Sequence, residues 1–318
     1  MNILVTGAAG FIGSHLTERL LADGHTVVGL DNLDPFYDMA IKRQNLSNFN
    51  QHENFTFVLG DICEPEDVER ACTEQKPDMI VHLAAKAGVR PSILAPVPYH
   101  QVNVEGTTVM LEAARHYKIP KFIFASSSSV YGNNEKIPFA ETDNVDYPIS
   151  PYAATKKAGE LICYTYSHLH DIDITCLRFF TAYGPRQRPD LAIHKFARLI
   201  LDDKPIPVYG DGSMRRDYTY IDDIIDGVRA AMDRCSGYNI YNLGESQPIR
   251  LDELIAELEN ALGKKAIINR LPLQPGDVNQ TYADVTKAKL ELGYHPTTEL
   301  SVGLKRFADW LKNTNTTE

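Results

Sequence analysis

A glycine-rich turn, Gly7-Ala8-Ala9-Gly10-Phe11-Ile12-Gly13, follows the apolar run Asn2–Val5 and opens a helical pattern over Phe11–Asp23. Glycines there permit a tight strand-to-helix turn and let a pyrophosphate approach backbone N–H groups at the positive end of a helix. The spacing is G-x-x-G-x-x-G rather than G-x-G-x-x-G, and alone it is a weak signal. Asp31 strengthens it. This acid ends the second apolar run, about 20 residues further on, where a carboxylate binds a ribose 2′-hydroxyl. A negative charge at that place repels the additional phosphate of NADP, so the cofactor expected is NAD.

The pattern downstream supports the same fold. Short apolar runs at Asn2–Val5, Thr26–Leu30, Phe55–Leu59, Met79–Leu83, Phe122–Ala125 and Ile174–Phe179 alternate with helix-length stretches such as Val104–Tyr117 and Tyr152–His168. Runs that are apolar at consecutive positions suit a parallel sheet covered on both faces. The alternation predicts an α/β fold with a Rossmann-type doubly wound parallel sheet. After about Thr181 the segments become shorter and richer in Pro and Gly, with helical patterns at Leu191–Leu201, Leu251–Leu262 and Leu300–Leu311. This predicts a smaller α/β substrate-binding domain. The expected division is 1–180 for the nucleotide domain, with about 217–245 returning to it, and 181–216 with 246–318 for the second domain.

Composition excludes several classes. A net charge of −10 over 318 residues argues against non-specific nucleic-acid binding. No apolar run approaches the roughly 20 residues of a membrane helix, and the first residues lack the basic and apolar regions of a secretion signal. The expected location is the cytoplasm. The five cysteines lie far apart without metal-ligand spacing, so no metal site is expected.

Tyr152 and Lys156 stand four residues apart, on one face of a helix. A tyrosine of ordinary pKa, about 10, is a poor base at neutral pH. A nearby ammonium and a positive nicotinamide ring favour its phenolate, which makes Tyr152 a candidate general base for a sugar hydroxyl. With 16 tyrosines in the chain, a Tyr–Lys pair alone says little. The run Ser126-Ser127-Ser128-Ser129-Val130-Tyr131-Gly132 adds weight, because it follows a strand pattern whose carboxyl end should face the ligand.

Together these residues resemble the extended short-chain dehydrogenase/reductase family and, within it, the nucleotide-sugar epimerases. The resemblance extends through His82-Leu83-Ala84-Ala85, Arg178-Phe179-Phe180 and Arg216-Asp217-Tyr218. It implies that Tyr152, Lys156 and Ser127 are catalytic, with Ser127 binding the reacting sugar oxygen. It places Gly7, Gly10, Phe11, Ile12, Gly13, Asp31, Leu83, Ala84, Ala85 and Asn103 on NAD, and Asp61 and Ile62 at the adenine. Arg216 matches a diphosphate-binding arginine, and two helices match those that pair into a homodimer.

Further features resemble UDP-glucuronate 4-epimerases. They are Lys86–Arg90, the segment from Asp31-Asn32 through Lys42-Arg43, Thr181–Pro185 with Arg188–Ala192, and Gln274–Val278. Asn32 and Lys42 fall at the adenosine side, although a lysine in a polar loop is often merely solvated. UDP-glucose 4-epimerases usually carry Asn at Thr181 and Arg at Gln274, and both differences suit a carboxylate at C6. The implied substrate-binding residues are Arg90, Ser127, Ser128, Thr181, Arg188, Arg216, Gln274 and Asp277. The 4,6-dehydratases of the family carry Asp and Glu at the positions of Ser128 and Ser129, and the UDP-glucuronate decarboxylases carry Glu at Ser129. The expected reaction is 4-epimerisation of a UDP-sugar, foremost UDP-glucuronate, through a 4-keto intermediate. UDP-glucose or UDP-N-acetylglucosamine as substrate is the alternative, then decarboxylation or a non-catalytic NAD-binding scaffold.

Overall fold

The computed structural model describes residues 1–272 and 280–315. Six strands come first: β1 (Asn2–Thr6), β2 (Thr26–Asp31), β3 (Phe55–Leu59), β4 (Met79–His82), β5 (Lys121–Ser127) and β6 (Asp173–Phe179). There follow β7 (Thr181–Tyr183), β8 (Pro205–Tyr209), β9 (Arg215–Tyr220), β10 (Tyr238–Leu243), β11 (Pro248–Arg250) and β12 (Ile267–Leu271). Seven of these form one parallel sheet in the order β10-β6-β5-β4-β1-β2-β3.

The apolar runs of the sequence are continuous because both faces of this sheet are covered. Alternate residues enter separate cores. Ile3, Val5, Val27, Val81 and Ile123 pack on one face with Leu16, Leu20, Ile224 and Val228. These partners come from the helices Phe11–Ala22 and Ile221–Asp233. On the other face, Leu4, Val28, Ile80, Phe122 and Phe124 meet Val68, Met110, Leu111 and Cys163. Those belong to the helices Pro65–Gln75, Gly106–His116 and Pro151–His170. A polar residue at either set of positions would be buried without a partner, and that fixes the register of every strand.

A second layer is made of small sheets. β9 pairs with β7 in parallel and with β11 antiparallel, and β8 pairs with β12. The chain then rejoins the large sheet through the helix Ile221–Asp233 and β10, which pairs with β6. Residues 217–220 therefore lie in the small sheet. The helix Ile221–Asp233 is clamped to Phe11–Ala22 by Arg19–Asp226 at 2.5 Å and by the ion pair Arg229–Asp23.

Two boundaries differ from expectation. β5 continues through Ser126 and Ser127, because both serines stay hydrogen-bonded alongside β6, opposite Arg178 and Phe179. Before Gly106, residues Gln101–Glu105 form a wider π-helical turn. Such turns are often found at functional sites, and this one carries Asn103. Among the described residues, no helix is long and apolar enough to cross a membrane.

Candidate functional site

The strand order reverses between β1 and β4, and the carboxyl ends of the strands diverge there. A cavity of about 520 Å³ opens at that point, as the topology of doubly wound sheets requires. Its floor is the glycine turn. A Cβ on Gly13 would stand 2.0 Å from the Gly7 carbonyl oxygen, and one on Gly7, whose φ is +72°, would stand 2.9 Å from Ala84 N. Only glycines allow the loop to fold this closely. Gly10 precedes the helix Phe11–Ala22 without a side-chain cap, so first-turn N–H groups are left for an anionic ligand.

Asp31 ends β2 at this floor. Its carboxylate accepts from Ala9 N at 3.1 Å and Leu33 N at 2.8 Å, and Lys42 Nζ lies 3.5 Å away. A carboxylate has about four acceptor sites, so capacity for a ribose hydroxyl remains. Lys42 is buried and sits over the Tyr37 ring, so it belongs to the wall and is not a solvated loop lysine. Asn32 donates to Asp61 at 2.8 Å. Glycine cradle, helix end and ribose acid together are the donor and acceptor set that a dinucleotide needs.

Across the cavity, Tyr152 and Lys156 project from the first turns of the helix Pro151–His170. Ser150 caps that helix, accepting from Ala153 N at 3.2 Å. Burial pushes the Tyr152 phenol above its ordinary pKa, while a hydrogen bond from Ser127 and the Arg188 charge pull it back. The charge acting on the phenol is thus Arg188's. Lys156 Nζ instead donates to the Ala125 carbonyl at 2.7 Å, because its side chain runs back to the end of β5. Burial pulls the Lys156 ammonium down to about 8, opposed by Cys163 and Glu160. The hydroxyls of Ser127 and Ser129 are hydrogen-bonded at 3.0 Å.

The cavity wall contains Gly7, Gly10, Phe11, Ile12, Gly13, Asp31, Asn32, Lys42, Asp61, Ile62, Leu83, Ala84 and Ala85 on the nucleotide side. It also contains Ser127, Ser128, Tyr152, Lys156, Thr181, Arg188 and Arg216. Two anticipated residues stand off the wall. Asn103 lies behind it, accepting from Lys86 N at 2.8 Å and donating to Lys86 O at 2.9 Å and Thr155 at 3.0 Å. Arg90 stacks on the Tyr209 ring, 4.4 Å from its centroid. Gln274 and Asp277 lie outside the described residues.

Several contacts were not foreseeable from local pattern. Arg188 forms a two-point pair with Asp190, at 2.9 and 2.7 Å, and lies over the Phe36 ring. Lys86 pairs with Asp34 at 3.1 Å. Among the described residues the three carboxylates on the wall are Asp31, Asp34 and Asp61, at the end of β2 or just after β2 and β3. Among the described residues, no group of three or more His, Cys, Asp or Glu is arranged to hold a metal ion.

The family model GDP-mannose 4,6 dehydratase matches residues 4–307. A UDP-glucuronate 4-epimerase of Thermodesulfobacterium geofontis is 43% identical over 310 residues, covering 97% of this chain and 95% of that protein. The crystal structure of UDP-glucuronic acid 4-epimerase from Bacillus cereus in complex with UDP-glucuronic acid and NAD superposes with a TM-score of 0.93. It is 41% identical, and the match covers 99% of this chain and 100% of that one. UDP-glucose 4-epimerase from Thermotoga maritima with UDP-glucose gives a TM-score of 0.91 at 33% identity, covering 99% and 100%.

Proposed function

The chain belongs to the GDP-mannose 4,6 dehydratase family, and from that premise we propose that it is an NAD-dependent 4-epimerase of UDP-sugars that interconverts UDP-glucuronate and UDP-galacturonate. The observation that carries this reading is the chemistry of the wall around Tyr152. A phenol, an ammonium and three serine hydroxyls meet there, and among the described residues every carboxylate on the wall belongs to the β2–β3 side. Water loss needs an acid and a base beside the keto sugar. Ser128 and Ser129 supply neither, so the reaction must return its hydride and its proton.

Bound NAD supplies the hydride acceptor for C4 and the donor that returns the hydride to the opposite face. Tyr152 takes the O4 proton and gives it back, with Ser127 donating to the same oxygen. Arg188 provides the positive charge that favours the phenolate, and Lys156 holds the end of β5 against the helix that carries Tyr152. Arg216 holds the diphosphate while the keto sugar turns over between the two transfers. The 4-keto form of a glucuronate is a β-keto acid, which loses carbon dioxide only when its C5–C6 bond aligns with the carbonyl π system. Ser128 and Thr181 fix the carboxylate out of that alignment by donating hydrogen bonds to it, with Arg188 orienting the sugar. Arg188 is already paired with Asp190, which leaves the hydroxyls as principal donors.

Incubating the purified protein separately with UDP-glucuronate and UDP-glucose, and resolving products by NMR, tests the substrate. Turnover of UDP-glucose alone would assign the chain to the glucose epimerases instead. A hydrogen bond to a charged group contributes about 1.5–3 kcal/mol. Thr181→Val is therefore expected to raise KM for UDP-glucuronate by roughly 10- to 100-fold. An unchanged KM would remove Thr181 from carboxylate recognition.

We further propose that the protein works in the cytoplasm as a homodimer. Leu161, Tyr164 and Leu169, more than half exposed on the helix Pro151–His170, give that helix an apolar outer side suited to pairing with its copy. Light scattering is expected to give the mass of two chains, and the mass of one would refute the pairing.

A further inference from the structure

Three consecutive residues at the end of β5 are each tied to the catalytic helix. Ala125 O accepts from Lys156 Nζ at 2.7 Å, Ser126 Oγ donates to Glu160 Oε1 at 2.6 Å, and the Ser127 hydroxyl lies beside the Tyr152 phenol and favours its ionised form. The helix residues are spaced by four, 152, 156 and 160, so they form one stripe along the helix. Along the strand, side chains alternate between faces. Ser126 therefore reaches the buried side while Ser127 reaches the cavity.

Behind this stripe lies an ion pair that none of the chemistry above requires. Arg178 and Glu160 are each 1% exposed. Arg178 Nε and Nη2 donate to the two carboxylate oxygens at 2.8 and 2.9 Å. Its Nη1 donates to the Tyr131 hydroxyl at 2.9 Å, which donates to Asn242 of β10 at 2.7 Å. Arg178 is also the partner of Ser126 across the β5–β6 ladder. Apolar residues of the same volume would stabilise the fold as well as a buried pair does, because desolvation offsets its attraction. What the pair adds is direction: two-point hydrogen bonds allow one placement of helix on strand.

We propose that Ser126, Glu160 and Arg178 are positioning residues that hold the Tyr152–Lys156 stripe in register with Ser127. Glu160 has a second effect through its charge. Lys156 is faced by His82 from β4, by Cys163 and Glu160 of its own helix, and by the Phe124 ring of β5. His82 is buried and neutral, with its pKa down at about 3. Glu160 is therefore the carboxylate that acts on Lys156 and helps it keep its proton. Lys157, 3.6 Å from Glu160, and Arg178 both pair with that carboxylate.

The inference rests on Tyr152 being the base, and two variants test it with two readouts. Ser126→Ala removes one hydrogen bond and little volume. The double variant Glu160→Gln, Arg178→Met removes both charges together, so no unpaired charge is left buried. Lys156 is titrated directly by NMR of protein carrying 13C-labelled lysine, and kcat and KM are measured for UDP-glucuronate. Tyr294→Phe, which loses a buried bond to Gly244 and does not line the cavity, controls for stability.

Ser126→Ala is expected to lower kcat by roughly 10- to 100-fold with KM little changed, since misplacement near the reacting atoms acts on the rate. In the double variant the Lys156 midpoint is expected to fall below about 8. Tyr294→Phe should lower Tm without either effect. Unchanged kcat in Ser126→Ala together with an unchanged Lys156 midpoint in the double variant would overturn the proposal. If the unmodified protein fails to epimerise, the functional reading falls, while the Lys156 titration still decides this one.

Discussion

Tyr152→Phe is expected to lower epimerisation by about 10²–10⁴-fold, the usual contribution of a positioned acid–base group. Phenylalanine keeps the ring and its packing, and KM should change little because the sugar and diphosphate contacts belong to other residues. Folding should suffer little, since the hydroxyl faces the cavity and Ser127 keeps its bond to Ser129. The pH profile gives an independent sign. Burial holds the phenol above its ordinary pKa, so its ionised form is scarce at neutral pH and the rate of the unmodified enzyme climbs with pH. Above about 8 the Lys156 ammonium is progressively lost, and with it the charge-assisted bond to Ala125 that places the catalytic helix. The profile therefore rises to a break near 8 and then levels. Full activity in Tyr152→Phe, or a rate falling as pH rises from 6 to 8, would remove Tyr152 from the role of base.

Gly13→Ala is expected to release the cofactor. The added methyl would lie 2.0 Å from the Gly7 oxygen and 2.8 Å from its carbonyl carbon. Both are backbone atoms, so the turn itself has to open. Overpacking of this kind costs about 1–3 kcal/mol. The displaced N–H groups would each lose a charge-assisted hydrogen bond worth about 1.5–3 kcal/mol. NAD binding should weaken by on the order of 100-fold or more, read as the nucleotide content of the purified protein and by calorimetry, together with a lower Tm. Normal NAD content in this variant would mean that the glycine turn is not the phosphate cradle.

The features legible in the sequence are those whose signal is local. The glycine turn, the acid at the end of β2 and the Tyr–Lys spacing each depend on residues a few positions apart, and the structure lines one cavity with all of them. The apolar runs showed strands because burial on both faces leaves no room for polar residues. Contacts between distant segments were not legible. Nothing near Glu160 indicates that its partner is Arg178, because the sheet brings them together only after β5 and β6 pair. Lys42 is expected at the adenosine side, but its burial against Asp31 and Tyr37 shows only once its segment is folded. Asn103 carries a cavity-side motif, yet the π-helical turn directs its amide to the Lys86 backbone behind the wall. The serine run read as a loop, whereas its first two residues extend β5, and that extension puts Ser126 and Ser127 on opposite sides.

In the proposed reaction, hydride leaves C4 of a UDP-glucuronate and returns to the same carbon with nothing lost. Epimerisation of UDP-glucuronate in D2O, followed by 1H NMR of the product, tests it most directly. The expected product is UDP-galacturonate with hydrogen retained at both C4 and C5, because the hydride never meets solvent and no proton is removed from C5. Deuterium at either carbon, or a UDP-pentose in place of UDP-galacturonate, would contradict it.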